Sequence, residues 1–111
     1  MFIETITFQV KPDKVSEFEE MARILKEEMA LQEGCCGVGI FKRFFTFDKV
    51  QWGQPPREIT RIVKCVKYFA QWEFEDIESC GRATGWLMEE KSREIFKLLI
   101  MPFEINSGYE I

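Results

Sequence analysis

The order in which two hydrophobic periodicities alternate along the chain constrains its fold most. Apolar residues repeat at every second position in strand-like segments and at three- and four-residue steps in helical ones. The segments follow one another as strand, helix, strand, strand, helix, strand. Their predicted bounds are 2–10, 14–32, 37–47, 59–75, 76–99 and 103–111. This βαββαβ order predicts a single α+β domain over residues 1–111.

Turn and capping residues separate these segments. Pro12 ends the first strand because it has no N–H to donate, and Asp13 is predicted to cap the helix that follows. Gly34 is predicted to end that helix in a left-handed conformation. A Pro-rich loop over 48–58 joins the middle strands, and two glycines predict a kink near 85–88.

The predicted fold is ferredoxin-like, a four-stranded antiparallel sheet with both helices on one face. Phe41, Phe45 and Phe47 then lie on the other face of the sheet. A second copy of the chain would cover these aromatic side chains, since large exposed apolar patches are uncommon on monomers. The pattern therefore predicts a homodimer, a dimeric α+β barrel, whose interface includes part of the 48–59 loop.

Composition excludes several classes of protein. The net charge of −4 argues against nucleic-acid binding, and no run of about 18 apolar residues predicts a membrane span. The alternating start of the chain does not resemble a signal peptide, so we expect a cytoplasmic protein with reduced thiols.

Cys35 and Cys36 follow Gly34 in an exposed turn. They are interpreted as small buried side chains or, alternatively, as a redox site.

Several local motifs resemble a known family. They are the end of the first strand through Lys14, the helix containing Phe18, the Gly34-Cys35 turn, and the strand that ends Gln71-Trp72-Glu73. The chain resembles the dimeric α+β barrel superfamily and is similar to antibiotic biosynthesis monooxygenase-like domains. The resemblance covers most of the chain, with 48–65 as an enlarged hairpin.

The resemblance implies a ligand pocket between the sheet and the helices of each subunit, and a small aromatic molecule as ligand. The candidate pocket residues in this sequence are Tyr68, Trp72, Trp86, Cys80 and Arg43. Trp72 would stack on a flat ligand or serve only as core, and Tyr68 would donate a proton or pack. Arg43 would bind an anionic ligand or form an ion pair, because a charge among apolar residues needs a partner or water.

Two functions from different classes fit these residues. The first is a cofactor-independent monooxygenase that acts on aromatic or quinone-like molecules; the second is a non-catalytic dimer that binds a hydrophobic ligand or a partner. With no histidine, the base would have to be Tyr68, a carboxylate such as Glu4, or a thiolate at Cys65. No cofactor and no metal site are expected, and the catalytic residues stay open.

Overall fold

The computed structural model describes residues 1–61 and 64–111. Six strands and three α-helices lie in these ranges. The strands are β1 (Phe2–Val10), β2 (Cys35–Lys42), β3 (Phe45–Thr46), β4 (Arg57–Glu58), β5 (Val66–Phe74) and β6 (Glu104–Tyr109). The helices are α1 (Val15–Ala30), α2 (Ile77–Trp86) and α3 (Ser92–Phe96). A 3₁₀ turn (Pro12–Lys14) precedes α1, and a π-helical turn (Leu87–Lys91) joins α2 to α3.

The main sheet has the strand order β2-β5-β1-β6, and all three pairings are antiparallel. Its two central strands, β1 and β5, are paired along their whole length from Phe2↔Phe74 to Val10↔Val66. This is the predicted ferredoxin-like α+β fold, and the prediction is confirmed.

One face of the sheet is covered by helices and holds the core. Alternate residues of β1 and β5 are buried there, as the period-two pattern predicts. The helix α1 contributes four buried residues from one stripe: Phe18, Ala22, Leu25 and Met29. The aromatic rings of Phe8, Phe18 and Tyr68 pack in a row, with centroids 5.3 and 4.6 Å apart.

The turns around the helices agree with the sequence in part. Gly34 has φ +83°, and a Cβ there would lie 2.1 Å from Ser79 Oγ, so only glycine fits this turn. Asp76 caps α2 by accepting a hydrogen bond from Ser79 N (2.7 Å). The cap predicted at Asp13 is wrong, because no side chain caps α1. The kink predicted near 85–88 corresponds to the π-helical turn.

The middle of the chain differs from the prediction. The second strand ends at Lys42 instead of running to Phe47, because the chain leaves the sheet at Arg43 and Phe44. The third strand begins at Val66, and residues 59–61, 64 and 65 are not strand. The prediction also placed residues 62 and 63 in the irregular start of this strand, and these two lie outside the described residues.

Residues 43–61 form a projecting hairpin, here called the arm. Its two short strands, β3 and β4, pair only with each other, and it exposes Phe45, Phe47 and Trp52, the last at 84%. The radius of gyration is 15.2 Å, against about 13 Å for a compact domain of this length. The face of the sheet that the helices do not cover is here called the open face. Both the arm and the open face present aromatic side chains to solvent.

Candidate functional site

A carboxylate is buried between the sheet and α2. Glu4 lies at an inward position of β1 and is only 2% exposed. The Thr84 hydroxyl donates to this carboxylate and lies 3.0 and 2.9 Å from its two oxygens. The Cys80 thiol donates to Oε1 over 3.4 Å. Cys80 and Thr84 are one turn apart on α2, so a single helix face supplies both donors.

Burial changes the titration of this cluster. Desolvation raises the pKa of Glu4 above its usual range, and the hydrogen bonds from Thr84 and Cys80 offset part of that effect. The pKa of the Cys80 thiol is raised to about 11 by burial and by the neighbouring carboxylate. Burial therefore makes Glu4 a stronger base than an exposed carboxylate, while Cys80 stays a thiol at neutral pH.

A buried tryptophan is the neighbour of Glu4 on the next strand of the sheet. Trp72 is the cross-strand partner of Glu4 and is fully buried. Its Nε1 has no hydrogen-bond acceptor among the described residues. A buried donor without an acceptor is costly, and in native proteins it is usually satisfied by water or a ligand. The pair combines a proton acceptor with an unused hydrogen-bond donor.

Two glycines follow the donor residues of the cluster on α2. A Cβ added at Gly81 or Gly85, the neighbours of Cys80 and Thr84 on α2, would have no heavy atom within 4 Å. The glycines therefore do not serve to bring the helix close to the sheet. On the other side, Ser107 of β6 pairs with Glu4 and is exposed.

A second polar cluster lies at the opening between α1 and β2. The Tyr68 hydroxyl donates a short hydrogen bond to Glu19, and Lys42 Nζ lies 3.5 Å from the same carboxylate. The hydrogen bond from Tyr68 is the largest cause of the lowered pKa of Glu19, with Lys42 and Arg23 contributing. Burial and the Glu19 carboxylate raise the pKa of Tyr68 far above its usual range. Tyr68 therefore stays protonated and is a poor base.

The structure brings three of the five candidate pocket residues to the helix-covered face: Tyr68, Trp72 and Cys80. Trp86 is half-buried at the edge of the core, with Lys91 Nζ 5.9 Å from its ring centroid. Arg43 is exposed at the base of the arm, away from the Glu4 cluster. Cys65, named with Glu4 as a possible base, contacts Gln9 Oε1 at 3.6 Å.

Thr84 is the site residue that sequence reasoning missed, and Glu4 was named only as one possible base. An acidic residue at an inward position of β1, between Phe2 and Ile6, is the signal that could have identified the site. All four cysteines are free thiols, including the adjacent Cys35 and Cys36.

Residues 1–61 and 64–111 were searched for clusters of metal-ligating side chains and for long apolar helices. They contain no group of three Cys, Asp or Glu side chains arranged to hold a metal ion. No helix in these ranges has the length and apolar character needed to cross a membrane.

Comparisons with known proteins agree with this fold. Residues 1–49 match the sequence profile of the family Antibiotic biosynthesis monooxygenase. No curated protein matches the sequence significantly. A conserved protein from Methanosarcina mazei Go1 is 22% identical, with a TM-score of 0.63 over 100% of this chain and 94% of that one.

Two further solved structures are of oxygenases. SnoaB of Streptomyces nogalater, a cofactor-independent oxygenase solved as a point mutant, is 17% identical, with a TM-score of 0.65 over 98% of this chain and 91% of that one. The monooxygenase ActVA-Orf6 of Streptomyces coelicolor, in complex with the ligand nanaomycin D, is 13% identical, with a TM-score of 0.67 over 99% and 87%. The predicted similarity to antibiotic biosynthesis monooxygenase-like domains is confirmed, and at these identities the structures establish the fold.

Proposed function

We propose that the protein is a cofactor-independent monooxygenase for aromatic or quinone-like small molecules, with Glu4 as its base. The observation that carries the proposal is the buried Glu4 carboxylate beside Trp72, held by Thr84 and Cys80. The similar structures of SnoaB and ActVA-Orf6 support this class of reaction. Because their identity to this chain is low, its substrate has to be inferred from the residues of its own site.

The reaction needs a substrate that forms a stabilised carbanion, such as a polycyclic phenol in its keto form with an acidic CH₂ group. Glu4 takes one proton from this carbon, and its raised pKa makes it a stronger base than an exposed carboxylate. The carbanion then reduces O₂, and the resulting peroxide loses water to leave a carbonyl group. The net change is substrate plus O₂ to quinone plus water.

The other residues hold the reacting groups. Thr84 and Cys80 orient the Glu4 carboxylate by donating hydrogen bonds. The free N–H of Trp72 is suited to donate to a substrate oxygen, where it would stabilise the charge that develops on an enolate. The apolar surroundings of the cluster favour the neutral aromatic ligand over water.

Oxygen consumption with anthrone, a tricyclic ketone with an acidic CH₂ group, tests this function. We expect the wild type to accelerate oxygen uptake and quinone formation above the spontaneous rate, and Glu4→Gln to lose most of that acceleration. Glu73→Gln is the matched control, because Glu73 is a β5 carboxylate on the open face of the sheet. Equal rates of oxygen uptake for the wild type and Glu4→Gln would show that Glu4 is not the base.

A non-catalytic binding dimer is the second candidate. The exposed aromatic side chains of the open face and the arm favour it, since Phe41 is 61% and Phe45 52% exposed. We expect a homodimer under either function. Phe41, Phe45 and part of the arm would then be buried against a second copy. Wild type that binds anthrone, as measured by quenching of tryptophan fluorescence, without consuming O₂ would favour the second candidate.

A further inference from the structure

A concave site at the base of the arm gathers positive charge on an otherwise acidic protein. It has a volume of about 380 Å³, within the range of small-molecule pockets. Five of the chain's 15 Lys and Arg residues line it, and its lining contains no Asp or Glu: Lys42, Arg43, Arg61, Lys64 and Lys67. The net charge of the chain is −4, so this concentration of cations is local.

Most of these cations have no protein partner in the described part of the chain. Lys42 forms an ion pair with Glu19. The ion pairs found among residues 1–61 and 64–111 include none of the other four. Like charges that share one concave surface repel each other, and a bound anion would relieve that repulsion.

The backbone around the site is fixed by hydrogen bonds. Arg43 N donates to Lys67 O (2.8 Å), which joins the end of β2 to the start of β5. Ile59 N donates to Phe44 O (2.7 Å), which closes the base of the arm. The two arginines therefore extend from neighbouring, tied segments, and a guanidinium can bind a carboxylate or phosphate with two hydrogen bonds.

The lining also has an apolar part formed by Phe44, Ile59 and Val66. Lys42 Nζ lies 5.0 Å from the centroid of the Phe44 ring, so charge and aromatic surface meet in one place. We propose that this site binds a small organic anion with at least two negative charges, carried by phosphate or carboxylate groups on an apolar or aromatic body. Binding at this site requires neither Glu4 nor oxygenase activity.

Titration with two aromatic dianions, phenyl phosphate and phthalate, tests the proposal at constant ionic strength. Amide signals of Gln9, Arg43 and Lys67 in NMR spectra of the full chain should shift, and binding should weaken as salt is added. Tighter binding of phenyl phosphate would assign a phosphate ligand, and tighter binding of phthalate a carboxylate ligand. The double variant Arg43→Gln/Arg61→Gln should lose roughly tenfold or more in affinity.

The matched control removes two cations elsewhere. Lys26→Gln/Arg93→Gln changes exposed residues of α1 and α3 and should bind both anions as the wild type does. If the arginine variant does not fold, the single change Lys64→Gln at an exposed position replaces it. Equal affinity in all variants, or binding only of long polyanions such as heparin, would overturn the proposal. So would loss of the dimer in Arg43→Gln/Arg61→Gln when the wild type binds neither probe, because these cations would then form a subunit contact.

Discussion

The two faces of the sheet differ in how far their aromatic side chains are removed from water. The helix-covered face buries its aromatic side chains, with Phe8, Phe18, Trp72 and Phe74 fully removed from solvent. The open face and the arm leave Phe41, Phe45 and Trp52 in water. Both regions are rich in aromatic residues, so composition does not distinguish them. The two regions differ because helices cover only one face of the sheet. The buried Glu4 site lies on the covered face, and the exposed aromatic surface lies on the open face and the arm.

Truncating one phenylalanine on each side tests this difference most directly. Phe18→Ala removes a fully buried ring that packs on Phe8 and Tyr68, and we expect a loss of about 3–5 kcal/mol in the free energy of unfolding. Phe45→Ala removes a half-exposed ring of the arm and should cost below about 1 kcal/mol in dilute protein. Urea denaturation measures both. Similar losses would mean that the arm is packed in solution.

A charge on the arm tests whether a second copy covers the exposed face. If Phe45 is buried in a homodimer, Phe45→Asp places an unpaired carboxylate in the interface and should weaken dimerisation by roughly 100-fold, or about 2.8 kcal/mol. Sedimentation velocity over a range of concentrations measures this change. Lys26→Asp on the exposed surface of α1 is the control. A wild type that keeps the 13.2 kDa mass of one chain at high concentration would contradict the dimer.

The pH dependence of stability sharpens the comparison on the covered side. Burial raises the pKa of Glu4 in the folded protein above its unfolded value, so the folded state holds this proton more tightly. The resulting stabilisation is present below the unfolded pKa and is lost as pH rises through the folded pKa. Glu4→Gln keeps a neutral side chain at every pH. Its stability relative to the wild type should therefore increase as pH rises from the unfolded pKa of a glutamate through the raised folded pKa.

Thermal denaturation at several pH values, with Glu73→Gln as control, measures this trend. The effect should be smaller than that of Phe18→Ala, because Thr84 and Cys80 still donate to the charged carboxylate. A constant difference between Glu4→Gln and wild type across this pH range would mean that the carboxylate titrates as an exposed group does.

The sequence predicted the covered side better than the open side. The alternation in β1 and β5 gave the buried residues directly, because a sheet with one covered face repeats with period two. The strand break at Arg43 and Phe44 had no such signal, since Phe41, Phe45 and Phe47 continue the alternation into the arm. Those three aromatics keep the pattern of a strand while the chain has already left the sheet.

The site was harder to predict because it joins distant parts of the chain. Glu4 and Thr84 are 80 positions apart, and only the packing of α2 on β1 brings them together. Trp72 and Cys80 were predicted as pocket residues and do lie on the covered face. Arg43, also named as a pocket candidate, lies at the base of the arm, because the second strand ends one residue before it.

The smallest expected effect concerns Gly85, which follows Thr84 on α2. Gly85 has no positive φ, and a methyl group there would meet no heavy atom within 4 Å. Gly85→Ala should therefore stabilise the protein by about 0.5–1 kcal/mol, because alanine loses less backbone entropy in a helix. If substrate reaches Glu4 past Gly85, Gly85→Leu should keep the fold and lower anthrone oxidation more than thermal stability. If Gly85→Leu instead retains full activity, substrate reaches Glu4 by another path, and the open position on α2 serves only to shape the helix.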